Sequence, residues 1–401
     1  MNAPVTMPGQ PAGGDADGPD ADLLLVDVDT HITEWADLWT ARATPAFRDR
    51  VPRVELIDGK PEWVMDGHRL AAPHGFSAIR ADGSKMSGNG FRDTWHEAIT
   101  PGAYSVRERL AYMDREGIAA QIGYTNLLGF GGQKAMLVDP ELRLVATRLL
   151  NDAMAEFQAE SGNRIFPMIM MPWWDVTLCV AEAARGADMG LRGINMNSDP
   201  HVHGLPPLGD RYWDPLWEVC TDRHLPVNFH IGASDDSMTW FGTGQWPGFS
   251  NDERLAFGST MMFVSNMRVL GNILMSRFLE RWPALSIVSV ESGAGWLPFM
   301  LEALEYQMAE AGLTAHEPIR DVFHRQIYGT VWFEQKTLSE TVRQLGAGNV
   351  MVETDYPHPT CLYPGARAHL AAGLADLPVE DRRKVMGGTA QRIYALDIGA
   401  A

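Results

Sequence analysis

Short apolar, β-branched runs recur along this chain with helical patterns between them. The runs are Leu23–Asp29, Ala119–Tyr124, Ile165–Met171, Leu191–Met196, Leu225–His230, Leu285–Val290, Ile327–Phe333 and Val350–Glu353. Each has the length and composition of a buried strand. Apolar residues at helical spacing fill the gaps. Leu110 and Met113 lie in Val106–Glu116, which ends at Gly117, and Leu142, Val145, Leu149, Met154 and Phe157 mark Pro140–Ser161. Further helices are predicted over Val176–Met189, Tyr212–His224, Trp296–Ala311, Leu338–Leu345 and Val379–Ile393, with another ending near Arg281 after the aromatic and Met-rich stretch 231–263. Eight strands alternating with helices predict an α/β fold, a distorted (β/α)8 TIM barrel. No GxGxxG follows the first strand, which disfavours a doubly wound sheet.

Segment 35–102 breaks the alternation and is read as a subdomain inserted after strand one. Its PEWVMDGHRL suggests a hairpin and its GSKMSGNGF a loop. Residues 1–22, rich in Gly, Pro, Asp and Ala, are expected to form a disordered tail, leaving 23–401 as the barrel domain.

The net charge of −18 provides no basic stripe for phosphates, so neither nucleic acid nor an anionic membrane is expected as a partner. The longest apolar run, Ile165–Trp174, holds two prolines and is too short to span a bilayer. Cys179, Cys220 and Cys361 show no CxxC spacing, which fits a reducing cytoplasm.

In a barrel, chemistry belongs where strands end. Strand one ends in Asp29-Thr-His31 with Glu34 close behind, strand five in Asn228-Phe-His230, strand six in Glu291-Ser-Gly, strand eight in Asp355-Tyr-Pro-His358. Side-chain alternation predicts that Asp27, Asp29 and His31 share a face. Singly, such residues cap helices or make structural hydrogen bonds. Together they crowd three carboxylates with no Lys or Arg among them, which predicts a bound cation. Without cysteine a thiolate zinc site is excluded. Imidazoles and carboxylates suit Zn, Fe, Mn or Co, and a carboxylate-rich set favours Mn or Fe. Asp29, His31, His230, Glu291 and Asp355 are the candidate ligands. They exceed the needs of one tetrahedral ion, so two metals are plausible, with Glu291 or Asp355 bridging.

Trp173, Asn197, Trp240 and Phe241 lie on or after strand ends and are candidates for a partly apolar substrate pocket. His201 and His203 read as a solvated loop pair, and Cys361 as a small buried residue. Gly129, Gly131 and Gly132 do not make a phosphate loop.

VDVDTHITE, PVNFHIG, VSVESGAGWLP and ETDYPHP resemble the amidohydrolase-related family, which includes aminocarboxymuconate-semialdehyde and aromatic-acid decarboxylases. The resemblance runs from about Leu23 to Ala395. It implies metal held by His31, His230 and Asp355, and a homodimer. The family's His-x-His is Asp29-Thr-His31 here, its strand-six acid–base histidine is Glu291, and no carbamylated lysine stands in Asn195-Met-Asn197. These departures resemble an Asp-x-His-x-x-Glu subgroup that includes oxygen-dependent monooxygenases with dinuclear iron or iron–manganese sites. The implied function is therefore hydroxylation of a small organic substrate by O2, with two Fe or Fe/Mn per chain. Asp355, Glu291, Glu34 and His358 would be the catalytic residues, Glu34 or His358 orienting ligands. The alternative is a metal-dependent hydrolase or non-oxidative decarboxylase of a carboxylate-bearing substrate, with Asp355 as general base.

Overall fold

The computed structural model describes residues 20–71, 76–93, 95, 98–314 and 317–398. The expected N-terminal tail falls almost wholly outside them. Twelve strands are present among the described residues. They are β1 (Val26–Ile32), β2 (Arg53–Ile57), β3 (Lys60–Met65), β4 (His68–Ala71), β5 (Ala120–Thr125), β6 (Ile165–Pro167), β7 (Ile169–Met170), β8 (Ile194–Asn195), β9 (Val227–His230), β10 (Ile287–Val290), β11 (Ile327–Val331) and β12 (Val350–Val352).

β1, β5 and β6 form one parallel sheet, and β7 to β12 a second in sequential order. Together they form a distorted (β/α)8 barrel. β6 and β7 are one barrel strand interrupted at Met168. Pro167 supplies no N–H, and the chain changes partners there: Met168 N–H donates to Gly123 O and Ile169 N–H to Gly193 O, both at 2.9 Å. The barrel closes beyond β12, where His31 N–H donates to Tyr356 O (2.7 Å) and Asp355 N–H to Asp29 O (2.9 Å). β2, β3 and β4 make a separate antiparallel sheet between β1 and β5 in the chain, with β3 and β4 forming the hairpin predicted for PEWVMDGHRL.

The barrel interior is filled by Val26, Val28, Ala120, Ile122, Tyr124, Phe166, Met168, Val288, Val290, Tyr328 and Met351, and the C-terminal segment plugs its base with Ile393, Tyr394 and Leu396. The larger core lies between the strands and the surrounding helices.

Helices Val106–Glu116 and Leu338–Leu345 fall where the apolar spacing predicts. Stretch 231–263 instead contains a helix, Asp235–Gly242, and the start of another, Asn251–Ser276, opened by a Ser250–Glu253 capping box. The predicted Val379–Ile393 helix is divided by a π turn over Lys384–Gly388. Helices Ile319–Gln326 and Ala366–Leu374 lie outside the predicted set. No helix among the described residues is long and apolar enough to cross a membrane.

Candidate metal centre

β1 carries the first part of the site, through a departure from alternation. Asp27 pairs with Gln121 but Thr30 with Gly123, so one extra residue is accommodated in β1. A bulge of this kind re-aims the side chains beyond it. Val26 and Val28 stay in the barrel interior, Asp29 and His31 reach the mouth, and Asp27 turns away from them. The expectation that Asp27 shares their face is thus wrong. It accepts hydrogen bonds from Thr354 N–H (2.7 Å), Thr354 Oγ1 (2.7 Å) and Gln121 Nε2 (3.0 Å), clasping β1 to the end of β12. Burial, only partly offset by those bonds, raises its carboxyl to about 7.

β9, β10 and the segment after β12 bring His230, Glu291, Asp355 and His358 to the same place. His31 Nε2 lies 3.7 Å from Asp29 Oδ1, 3.6 Å from Glu291 Oε2 and 3.3 Å from Asp355 Oδ1. His230 Nε2 lies 3.0 Å from Glu291 Oε2 and 3.7 Å from Asp29 Oδ1. Two compact quartets result: Asp29, His31, His230 and Glu291, then His31, Glu291, Asp355 and His358, each with donor atoms within 4.8 Å of one another. Glu291 (φ 53°) and Asp355 (φ 57°) both occupy the left-handed region. Non-glycine residues there cost on the order of 1–3 kcal/mol each and concentrate at functional sites.

All six side chains are buried, and none of the three acids has a Lys or Arg partner among the described residues. Both oxygens of Asp29, both ring nitrogens of His31, His230 Nε2, Glu291 Oε2 and Asp355 Oδ1 lack hydrogen-bond partners. Leaving so many buried polar atoms unsatisfied is costly. A divalent cation among them would satisfy the set, so the residues fit a metal.

The imidazoles are oriented for that task. His230 Nδ1 lies 2.9 Å from the Ile231 carbonyl and donates to it, leaving the Nε2 lone pair facing the acids. Asn126 Nδ2 donates to Ile32 O (3.1 Å), so its Oδ1 accepts from His358 Nε2 (2.9 Å). His358 Nδ1 is thereby turned toward Asp355 Oδ1 at 3.3 Å. Burial favours neutral imidazole, yet the carboxylates of Asp29, Asp355 and Glu291 beside it push His31 up to about 9. His230 is driven up against its burial by Asp29 and Glu291. Burial also opposes charge on Asp355, but His358 and His31 hold it well below the usual carboxylate range.

Other predicted residues lie apart. Glu34 stays outside the quartets: its Oε1 accepts from Asn126 N–H (2.8 Å) and Leu127 N–H (2.7 Å), fixing the residue that holds His358. Trp173 packs against Trp174 and His203, with ring centroids 6.2 and 5.0 Å away. Asn197 Oδ1 accepts from Asp199 N–H, and its Cα borders Gly131. Trp240 and Phe241 are half-buried on helix Asp235–Gly242, where Phe241 packs on Gly258. The aromatic ring lying on the cluster is Phe130, absent from the predicted set. It stacks on His230 (4.2 Å between centroids, 28° between planes) and meets His31 edge-on at 5.4 Å. Asn195 Nδ2 donates to its carbonyl, and Gln133 ties the same loop to Gly232. Its one sequence signal is the glycine-flanked LLGFGG.

Comparison with known proteins agrees with this architecture. Residues 26–396 match the family model described as Amidohydrolase. A gamma-resorcylate decarboxylase of Rhizobium sp. (strain MTP-10005) is 25% identical over 307 residues, covering 72% of this chain and 86% of that protein. An amidohydrolase structure from Mycobacterium avium subsp. paratuberculosis K-10 is similar at TM-score 0.72 and 19% identity, over 93% of this chain and 99% of that one. A 5-carboxyvanillate decarboxylase from Novosphingobium aromaticivorans DSM 12444, complexed with manganese and 4-hydroxy-3-methoxy-5-nitrobenzoic acid, is similar at TM-score 0.63 and 18% identity, over 97% and 100%.

These relatives overturn the expected O2-dependent monooxygenase with two Fe or Fe/Mn: the named activities are decarboxylations, and the metal named is manganese. The acids that suggested iron are equally the donors of a hard divalent ion, and the two quartets share His31 and Glu291 within one pocket. From residue 26 to residue 396, the chain belongs to the amidohydrolase family.

Proposed function

We propose that this protein is a divalent-metal-dependent, non-oxidative decarboxylase of a hydroxylated aromatic carboxylate. The observation that carries this reading is the convergence of unsatisfied buried atoms from Asp29, His31, His230, Glu291 and Asp355, in a chain similar along most of its length to an aromatic-acid decarboxylase. Asp29, His31, His230 and Glu291 would cradle the ion, with Asp355 bordering it through His31. The oxygen-rich donor set favours manganese or a similarly hard ion. When bound, such an ion supplies Lewis acidity toward the substrate's carboxylate and neighbouring phenolic oxygen.

The remaining chemistry belongs to the chain's own residues. Loss of CO2 needs a proton at the ring carbon bearing the carboxylate. A C–H bond forms there, the C–C bond then breaks, and its electron pair restores the aromatic ring. With Nε2–H spent on Asn126, His358 Nδ1 faces Asp355 Oδ1 at 3.3 Å, and a proton taken up from solvent would be held between them for that delivery. Thr360 Oγ1 holds the other Asp355 oxygen, fixing the carboxyl plane. His358 is 8% exposed and connects the pair with solvent for reprotonation. Phe130 covers His230 and keeps water from that side, and Glu34 holds Asn126 and Leu127.

The test is incubation of manganese-loaded protein with γ-resorcylate and 5-carboxyvanillate in D2O. Expected are release of CO2 and one deuterium at the vacated ring carbon. Hydrolysis of ester or amide substrates, with no CO2 from either acid, would overturn the reading in favour of a hydrolase.

A further inference from the structure

Away from the metal centre lies a cavity of about 330 Å³, lined by Met136, Arg143, Trp173, Trp174, His203 and Leu205 among others. That is the lower end of the roughly 300–1,000 Å³ typical of small-molecule sites. None of the six clustered side chains lines it.

Its chemistry is unusual for a hollow at the protein surface. Trp173 is fully buried and Trp174 partly so, and neither indole N–H has a hydrogen-bond partner among the described residues. Arg143 lies over the Trp174 ring, 5.5 Å from its centroid. Its guanidinium spends donors on the Val138 carbonyl and the Met136 sulfur, both neutral acceptors. A guanidinium has five N–H groups, so two remain. No carboxylate forms an ion pair with Arg143 among the described residues, and neighbouring Asp139 is itself bound by Arg50. Asp175, the acid in the lining, is turned to its own helix, where Oδ1 caps Thr177 and Leu178. His203 is paired with Asp235 at 3.4 Å. The cavity therefore offers aromatic walls and, among the described residues, one cation lacking a carboxylate partner.

We propose that this cavity is a second binding site, for a planar aromatic monocarboxylate, separate from the metal centre. The ring packs against Trp174, which stands edge-to-face to the buried Trp173, and the carboxylate takes the two free N–H groups of Arg143, the bidentate pairing that guanidinium geometry favours. The choice of an aromatic acid as ligand rests on the proposed decarboxylase reading. The site would give the enzyme a place to sense its own substrate class.

The test is calorimetric titration of the manganese-loaded protein with 4-fluorobenzoate, and with neutral 4-fluorobenzyl alcohol for comparison. Two binding events per chain are expected for the acid. One of them should weaken at least tenfold in Arg143→Gln, survive in Arg143→Lys with a smaller loss, and weaken in Trp174→Phe without loss of bound manganese. A single event per chain, or two that Arg143→Gln leaves unchanged, would overturn the site. Equal binding of the alcohol would overturn the anion assignment. Failure of decarboxylation is read separately, by CO2 release.

Discussion

The ring of His358 lies face to face on that of His31, with centroids 3.4 Å apart and planes 14° from parallel. The stack joins the two ligand quartets, since His31 belongs to both and His358 to one. It survives only while both rings are neutral or a negative neighbour offsets their charge, and Asp355 lies 3.3 Å from each. His358 is kept toward the neutral form by burial and by the adjacent His31.

Asn126 sets the tautomer of His358, so it should matter although it touches neither metal nor substrate. Asn126→Ala frees the ring to flip and removes the acceptor for Nε2–H. Losses of about 10- to 100-fold in kcat are expected from such orienting residues, with manganese content near that of the parent protein. Asn126→Asp should retain more activity than Asn126→Ala because it keeps the acceptor. Equal kcat in all three proteins would remove Asn126 from the mechanism.

The barrel and most of the cluster were legible in the chain because apolar runs ended abruptly in Asp, His or Glu at strands one, five, six and eight. The face of Asp27 was not. Alternation has a period of two, and a single inserted residue in β1 inverts it without any change in composition. Phe130 and Asn126 were hidden for a different reason: their roles come from contacts with His230 and His358, brought close only by barrel closure. The reaction itself was misread because oxygen-rich ligands suit several metals and several chemistries. The acids announce a cation and leave its work open.

Metal entry should release protons. In the ion-free site His31 is raised to about 9, so it is charged at neutral pH and must lose its proton to become a ligand. Lower pH therefore favours the ion-free protein. Below pH 9 the apparent manganese affinity should fall by up to about tenfold per pH unit for each proton displaced. Calorimetry of manganese binding in buffers of different ionisation enthalpy reads that number directly. Buffer-independent heats would show that the histidines are already neutral.

Removing a proposed ligand should also register in stability. His230→Ala leaves Glu291 and Asp29 with the His31 imidazole alone beside them, and manganese binding should weaken by at least a hundredfold. Saturating manganese should raise the melting temperature of the parent protein, because an ion that binds only the folded chain stabilises it. The variant should show little such rise. A melting shift equal to the parent's would place the ion elsewhere.

Asp27 gives a stability signature of opposite chemical origin. Its carboxyl is raised to about 7 when folded against an unfolded value of 3.8. The folded chain thus holds the proton more tightly, and this contribution is fully present below pH 3.8 and lost as pH rises through 7. The change is on the order of 4 kcal/mol at most. Asp27→Asn keeps a carbonyl for Thr354 N–H and cannot ionise. Its urea-unfolding free energy should therefore gain on the parent's between pH 5 and pH 8. Parallel pH profiles would mean that the clasp carries its charge at no cost.

Gly131 offers the sharpest structural test of the loop over the metal centre. A Cβ built there would lie 1.9 Å from the Ala233 carbonyl oxygen and 3.0 Å from Asn197 Cα, both backbone atoms that have little room to yield. Gly131→Ala must therefore lift the loop, and Phe130 with it, off His230. Overpacking of this kind costs about 1–3 kcal/mol. Activity should fall further than that cost explains, because water gains access to the face of His230 that Phe130 covers. Phe130→Leu separates the two effects: it leaves the backbone in place while removing the flat ring, so it should lower kcat with a smaller change in unfolding free energy. A Gly131→Ala protein with parental kcat and parental stability would mean that Ala233 gives way, and that Phe130 is not held where its contacts place it.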